Sequence, residues 1–372
     1  MRVGLALGAG GLVGASWLIG ALEALQDQTG WEPSEADAIV GTSAGSVVGA
    51  LAAAGMPAEY MADYVAGREV DAIAEAAHRA GRQPTSMQDA VALAKALEQD
   101  GARPDGTGYR LARALPPIGP GSWRLALSTL RRPLSYSPAA VLTGWLPRGF
   151  VRTDPISDLV ETFIPGDWPD HPAYAAVAAD YSTGQRVAFG REDAPAARVS
   201  EAVAASCAIP AFYHPVTIDG RRYVDGGICS PSNLDLLCGR DLDLAICLSP
   251  MSSLAQVSGG SPGDRIGAFM RGLAGRRLGH EARKLREEGT EVLILQPGAE
   301  DLKVMGLNMM SGRRRVAVTE TAAKSTALTL RELRDIDAAL PGRTWHKRGA
   351  RRGAPAQTRK RASAQARKRR AA

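Results

Sequence analysis

The chain has 372 residues, 45% of them apolar and only 5% aromatic, so it can bury a sizeable core built from aliphatic side chains and alanine. Its four cysteines (Cys207, Cys229, Cys238, Cys247) form no C-x-x-C pair and its five histidines are scattered, which argues against a structural metal site and for free buried thiols in a reducing compartment, the cytoplasm. The net charge of +6 misleads: 12 of the 45 basic residues fall in 343–372, which has no acidic residue, so the other 33 face 39 acidic residues and the body carries −6. Arg, Lys, Ala, Gly and Pro cannot build a core, and 343–372 is expected to be a disordered basic tail after a body spanning 1–342.

Residues 2–7 (RVGLAL) predict a short buried strand, followed by a glycine turn over 8–14 and a helix from about 15 to 28. DAIVG at 37–41 predicts a second strand, and a helix after Ser43 runs to about Gly55 and Pro57. The uncharged stretches 5–22 and 38–58 are long enough to suggest membrane spans. Their dense glycine and alanine, with Gly8, Gly10, Gly11 and Gly14 breaking the first, mark them instead as buried βα units. Strand, turn, helix, repeated, is the pattern of an α/β fold: a mostly parallel central sheet with helices on both faces.

From about 70 to 150 the pattern loosens into an inserted helical cap, with an alanine-rich helix near 87–99 and a stretch mixing Trp123, Leu125, Leu127, Leu130 and Trp145 with arginines. AYAAVAADYSTGQRVAF (173–189) predicts two strands around a Ser-Thr-Gly turn. Residues 201–218 predict helix, proline break and strand. Two further buried strands are expected at 242–248 and 291–297, then a helix at about 313–339.

Two glycine-rich turns carry the chemistry. In GTSAG, Ser43 stands between Gly41 and Gly45 where an apolar strand gives way to small residues, the setting of a nucleophile on a sharp strand-to-helix turn. Such a turn can equally serve close strand–helix packing. In GAGGLVG, the glycines let main-chain N–H groups face a pocket and cradle an oxyanion or a phosphate. Gly8, Gly10 and Gly14 give G-x-G-x-x-x-G rather than the dinucleotide spacing, which disfavours a nucleotide and leaves no cofactor or metal implied. A serine needs a base. His78, His171, His214 and His280 each read as ordinary surface or core residues, whereas Asp225 in YVDGGI ends a short strand beside Gly226 and Gly227.

Taken in order, GAGGLVG, GTSAG, AADYSTG, AVAASCAIPAFYHPV and DGG resemble the patatin-like phospholipases, over about 1–60 and 173–250. The resemblance implies a Ser–Asp dyad without histidine, Ser43 as nucleophile and Asp225 as base, with an oxyanion hole from N–H groups around Gly10 and Gly11. Asp180 matches a family aspartate and reads as structural. Val13 stands where many members carry Arg or Lys in the glycine loop, so one charge that could assist the oxyanion is missing here. The implied function is a serine acyl hydrolase, a phospholipase- or lysophospholipase-like esterase acting on acyl esters of lipids. The competing reading is a non-catalytic or regulatory module that binds lipid or nucleic acid on a hydrolase body. The tail adds an expected peripheral contact with anionic lipid at the inner membrane face, ahead of nucleic acid as its partner.

Overall fold

A computed structural model describes residues 1–67, 120–131, 136, 138–253, 262–335 and 340–341. The expected helix near 87–99 and the tail lie outside the described residues. In chain order the elements are β1 (Val3–Leu7), α1 (Gly11–Thr29), β2 (Ala38–Thr42), α2 (Ala44–Ala53), α3 (Ala58–Ala66), α4 (Trp123–Arg131), α5 (Pro138–Trp145) and α6 (Asp154–Phe163). They continue with β3 (Tyr174–Asp180), β4 (Arg186–Phe189), α7 (Val199–Ser206), β5 (Val216–Ile218), β6 (Arg221–Asp225), β7 (Leu244–Leu248), α8 (Pro262–Glu287), β8 (Glu291–Leu295), α9 (Ala299–Met305) and α10 (Arg315–Asp335).

The eight strands form one sheet, connected in the order β5-β6-β3-β2-β1-β7-β8, with β4 also on β3. β3, β2, β1, β7 and β8 are mutually parallel; β4, β6 and β5 join antiparallel. The mostly parallel α/β sheet read from the sequence is therefore present. Alternate strand residues separate the two faces. Leu5, Leu7, Ile39, Ala176, Ile246 and Leu248 pack with α1, α2 and α10 on one side, while Ala6, Val40, Val177, Ala245 and Cys247 meet Leu278, Ala282 and Leu285 of α8 on the other. Burial on both faces explains why these strands read as unbroken apolar runs.

Three differences from the sequence reading have physical reasons. α1 begins at Gly11, not near 15, because Gly11 at φ +60° and Gly14 are accommodated inside the first turn. The 26-residue α8 has no counterpart in the sequence reading: its apolar residues are thinned by arginine and glycine, and only one stripe is buried. All four thiols are free, but only Cys207 and Cys247 are buried; Cys229 and Cys238 are half-buried. The described part of the expected cap is helical. Leu125 and Ala140 of α4 and α5 pack on Ala179, Tyr181, Val224 and Ile228 at the end of β3 and β6. Among the described residues, no helix is long and apolar enough to cross a membrane, and no cluster of His, Cys, Asp and Glu could hold a metal ion.

Candidate active site

The register of β3 brings two distant motifs together. Ala176 and Val177 pair with Gly41 and Thr42 of β2 and, across the strand, with Phe189 and Ala188 of β4. Ala178 and Ala179 pair with Asp225 and Val224 of β6 and again, across the strand, with β4. A strand has only two edges, so β2 and β6 share one edge of β3 and run toward each other along it. β2 stops at Thr42 opposite Val177, and β6 stops at Asp225 opposite Ala178. The residue after Thr42 is Ser43, so the serine and the aspartate meet where the two strands converge.

Ser43 is 3% exposed and holds φ +52°, ψ −123°, a torsion pair that costs a non-glycine residue roughly 1–3 kcal/mol. The surroundings impose it. A side chain at Gly41 would come within 2.5 Å of the Ser46 Cα, and one at Gly45 would collide with the Leu7 carbonyl oxygen. The two glycines thus let α2 press against β2 and β1. The Ser43 N–H donates to Ser206 Oγ at 2.9 Å, and Ser206 Oγ donates onward to the Val177 carbonyl at 2.6 Å. The Asp225 N–H donates to the Ala208 carbonyl at 3.0 Å. The end of α7 therefore anchors both residues. Sequence reasoning assigned Ser206 no role; the only signal was its place in AVAASCAIPAFYHPV, where small residues end a helix just before a proline.

Asp225 is buried, and one carboxylate oxygen accepts from the Gly227 N–H at 2.7 Å. Burial pushes its carboxyl up to about 6, partly opposed by hydrogen bonds from the Ser43 hydroxyl and the Gly227 amide, which favour the charged form. Gly226 and Gly227 open the short 3-10 turn that follows. A side chain at Gly226 would strike the Val177 carbonyl, so the glycine permits this close approach. Cys207 lies beside Ser43 and Ser46, its thiol pushed well up by burial and by Asp225. Asp180 accepts from the Ser182 and Thr183 amides at 2.7 and 2.9 Å, closing the β3–β4 turn.

The glycine turn lies on the other side of Ser43. The Gly8 and Ala9 amides are taken by the carbonyls of Leu248 and Pro231, the Val13 amide by Met309, and the Gly14 amide by Gly10. Among the described residues, the amides of Gly10, Gly11 and Leu12 have no such acceptor. They form the N-terminal end of α1, where helix-dipole and N–H groups favour negative charge. Gly8, Gly10 and Gly14 all pack against Pro250. Val13 is fully buried in the main core. A basic residue there would face an apolar interior.

Ser43 and Gly11 open onto a cavity of about 350 Å³. Its walls are overwhelmingly apolar: Leu12, Ala15 and Ile19 of α1; Val47, Val48 and Leu51 of α2; Met61 and Val65 of α3; Ile156, Leu159 and Phe163 of α6. Neither α3 nor α6 was assigned to the site from sequence. None of the described residues of 120–150 lines this cavity, and neither does any described histidine. His171 bonds the Ala36 carbonyl before β2, at the opposite edge of the sheet from Ser43.

The structure thus sets a buried serine at a strained strand-to-helix turn against a buried aspartate, beside helix-end amides and an apolar cavity in an α/β protein. Residues 5–237 match the family of patatin-like phospholipases, and the chain belongs to that family. It is also 36% identical over 103 residues to proteins described as uncharacterized NTE family proteins from Mycobacterium tuberculosis and Mycobacterium bovis. The match spans 27% of this chain and only 27% of each relative's length. Among solved structures, VipD from Legionella pneumophila aligns with a TM-score of 0.37 at 12% identity, covering 89% of this chain and 66% of that one, a likeness too weak to carry an argument.

Proposed function

We propose that this chain is a serine acyl hydrolase that cleaves fatty acyl esters of lipids through Ser43 and Asp225. The observation that carries the reading is the convergence of β2 and β6 on one edge of β3, which faces a buried carboxylate raised to about 6 toward a buried serine at the mouth of an apolar cavity. Asp225, ionised above that value, accepts the Ser43 proton as the oxygen attacks the ester carbonyl. The amides of Gly10 and Gly11 stabilise the oxyanion, supported by the N-terminal ends of α1 and α2. Protonated Asp225 returns its proton to the departing alcohol. Water activated by the same carboxylate then attacks the acyl-serine and releases the fatty acid. The cavity takes the acyl chain, whose burial among Ile19, Val48, Leu51 and Leu159 supplies binding energy of about 0.8 kcal/mol per methylene.

The test is a panel of phospholipids, lysophospholipids and neutral acyl esters offered to the full chain and to Ser43→Ala. Fatty-acid release from at least one lipid, absent in Ser43→Ala, supports the reading. No release from any member, together with no labelling of Ser43 by a fluorophosphonate, overturns it.

A further inference from the structure

The parallel strands β3, β2, β1 and β7 stand side by side in that order, so everything that follows their C-terminal ends lies along one edge of the sheet. Ser43 follows β2, and the glycine turn follows β1. On one flank, the turn after β3 carries α4: a side chain at Gly184 would come within 2.9 Å of Leu125 Cδ1. On the other flank, the segment after β7 carries the start of α8, with Arg271 donating to the Pro250 carbonyl at 3.3 Å and Gly267 facing Leu307. The Leu307 loop reaches the glycine turn itself, where the Met309 carbonyl accepts from the Val13 amide at 3.0 Å.

Both flanks turn large apolar side chains to solvent. Leu125, Ala126 and Thr129 form the buried stripe of α4, while Trp123, Leu127 and Leu130 point away, with Trp123 and Leu130 61% and 63% exposed. Across the site, Phe269 and Leu307 are 60% and 56% exposed, and Leu273 stands one helical turn beyond Phe269. Basic residues predominate in the segments that carry them, with the acidic partners Asp154, Glu281 and Glu300 at the segment borders. The described residues of 120–153 include Arg124, Arg131, Arg148 and Arg152 and no acidic residue. Residues 265–280 contain four arginines, and 302–319 one lysine and three arginines, again with no acidic residue. The −6 net charge of the body is thus carried elsewhere.

We propose that this edge of the sheet, with Trp123, Leu127 and Leu130 on one side of the Ser43 opening and Phe269, Leu273 and Leu307 on the other, is a docking surface for an anionic lipid bilayer. Apolar side chains set among arginines match the two layers of such an interface, acyl boundary and anionic headgroups, and tryptophan favours that depth. A protein partner would have to be acidic to fit the same charges, and a second copy of this face would repel it. The residues named all lie within 1–342, so this lipid contact is additional to the one expected of the basic tail. It serves the proposed lipid-cleaving function by delivering substrate to Ser43, and rests on that reading only for its purpose.

The experiment measures binding rather than turnover, so the two readings fail independently. Full-length Ser43→Ala is mixed with vesicles of phosphatidylcholine alone and of phosphatidylcholine with phosphatidylglycerol, at about 0.1 M and about 0.5 M salt, and bound protein is sedimented. The same is done after adding Trp123→Ala with Leu130→Ala, or Phe269→Ala with Leu273→Ala. Each pair is expected to lower anionic-vesicle partition about tenfold or more, with the tail unchanged. In the Ser43-intact chain, the same pairs should leave turnover of a short water-soluble ester within twofold. Absence of anionic-vesicle binding by the parent, or binding by either pair within twofold of it, overturns the proposal. So does a dimer of the parent that the substitutions dissolve, which assigns the face to a second copy.

Discussion

Two turns follow neighbouring parallel strands at the same edge of the sheet, and they are built oppositely. After β3, the left-handed position of the turn is filled by Gly184 at φ +69°, and the Asp180 carboxylate is occupied by two backbone amides. After β2, the left-handed position is filled by a serine at φ +52°, and the aspartate facing it accepts only one backbone amide, leaving its remaining capacity toward that serine. The first turn satisfies its groups where glycine conformational freedom permits. The second holds a strained serine beside a buried carboxylate whose charged form is disfavoured. Features unfavourable to folding are concentrated where chemistry is proposed, and the adjacent turn of the same sheet lacks them.

The largest expected effect follows from treating Ser43 and Asp225 as a unit. Ser43→Ala and Asp225→Asn should each lower kcat on an acyl ester by about 10³-fold or more, with the double variant little worse than either. Asp180→Asn should retain activity within about an order of magnitude. Steady-state kinetics on the three variants distinguish the turns.

The two aspartates should also move stability in opposite directions. The folded-state value of Asp225, about 6, lies above its ordinary 3.8, so ionisation opposes folding. The penalty is fully present above pH 6 and disappears as pH falls below about 3.8, where the carboxyl is protonated in both states. A rise from 3.8 to about 6 corresponds to about 3 kcal/mol, so Asp225→Asn should raise unfolding free energy by roughly that amount at about pH 8 and by little at about pH 4. Asp180→Ala strips two backbone amides of their acceptor and should cost about 1–3 kcal/mol at neutral pH. Denaturant titrations at two pH values read both signs.

Ser206 extends the contrast to the anchor of the strained turn. Ser206→Ala leaves the buried Ser43 amide and Val177 carbonyl without their shared partner and should cost about 1–3 kcal/mol, with a fall in kcat. The smallest effect concerns strain alone. Ser43→Gly should be more stable than Ser43→Ala by about 1 kcal/mol, because glycine accepts a positive φ that alanine resists while giving back part of the gain in backbone entropy.

Local patterns made the fold readable. The runs 2–7 and 37–41, the two glycine turns, the Ser-Thr-Gly hairpin and both later strands were all visible because parallel strands buried on two faces leave continuous apolar runs. Ser43 and Asp225 could be picked as candidates because each sits beside glycines that close packing demands. Their convergence could not be read: it depends on β3 pairing with two strands that approach from opposite ends, one of them through partners such as Thr42 and Val177 that are far apart in the chain. Ser206 escaped notice because a serine at the end of a helix has no distinguishing local pattern. The cavity walls on α3 and α6 escaped for a related reason: their apolar residues look like ordinary core until the helices are assembled around Ser43.

In the proposed mechanism Asp225 is the base for Ser43, without a histidine. The most direct measurement is the rate at which a fluorophosphonate labels Ser43, followed from about pH 4 to about pH 9 in the full chain and in Asp225→Asn. Labelling is predicted to rise about tenfold per pH unit at low pH, level off above about 6, and in Asp225→Asn to be slow and without that step. Wild-type labelling rates in Asp225→Asn, or an unchanged step near pH 6, would contradict the assignment and require a different base.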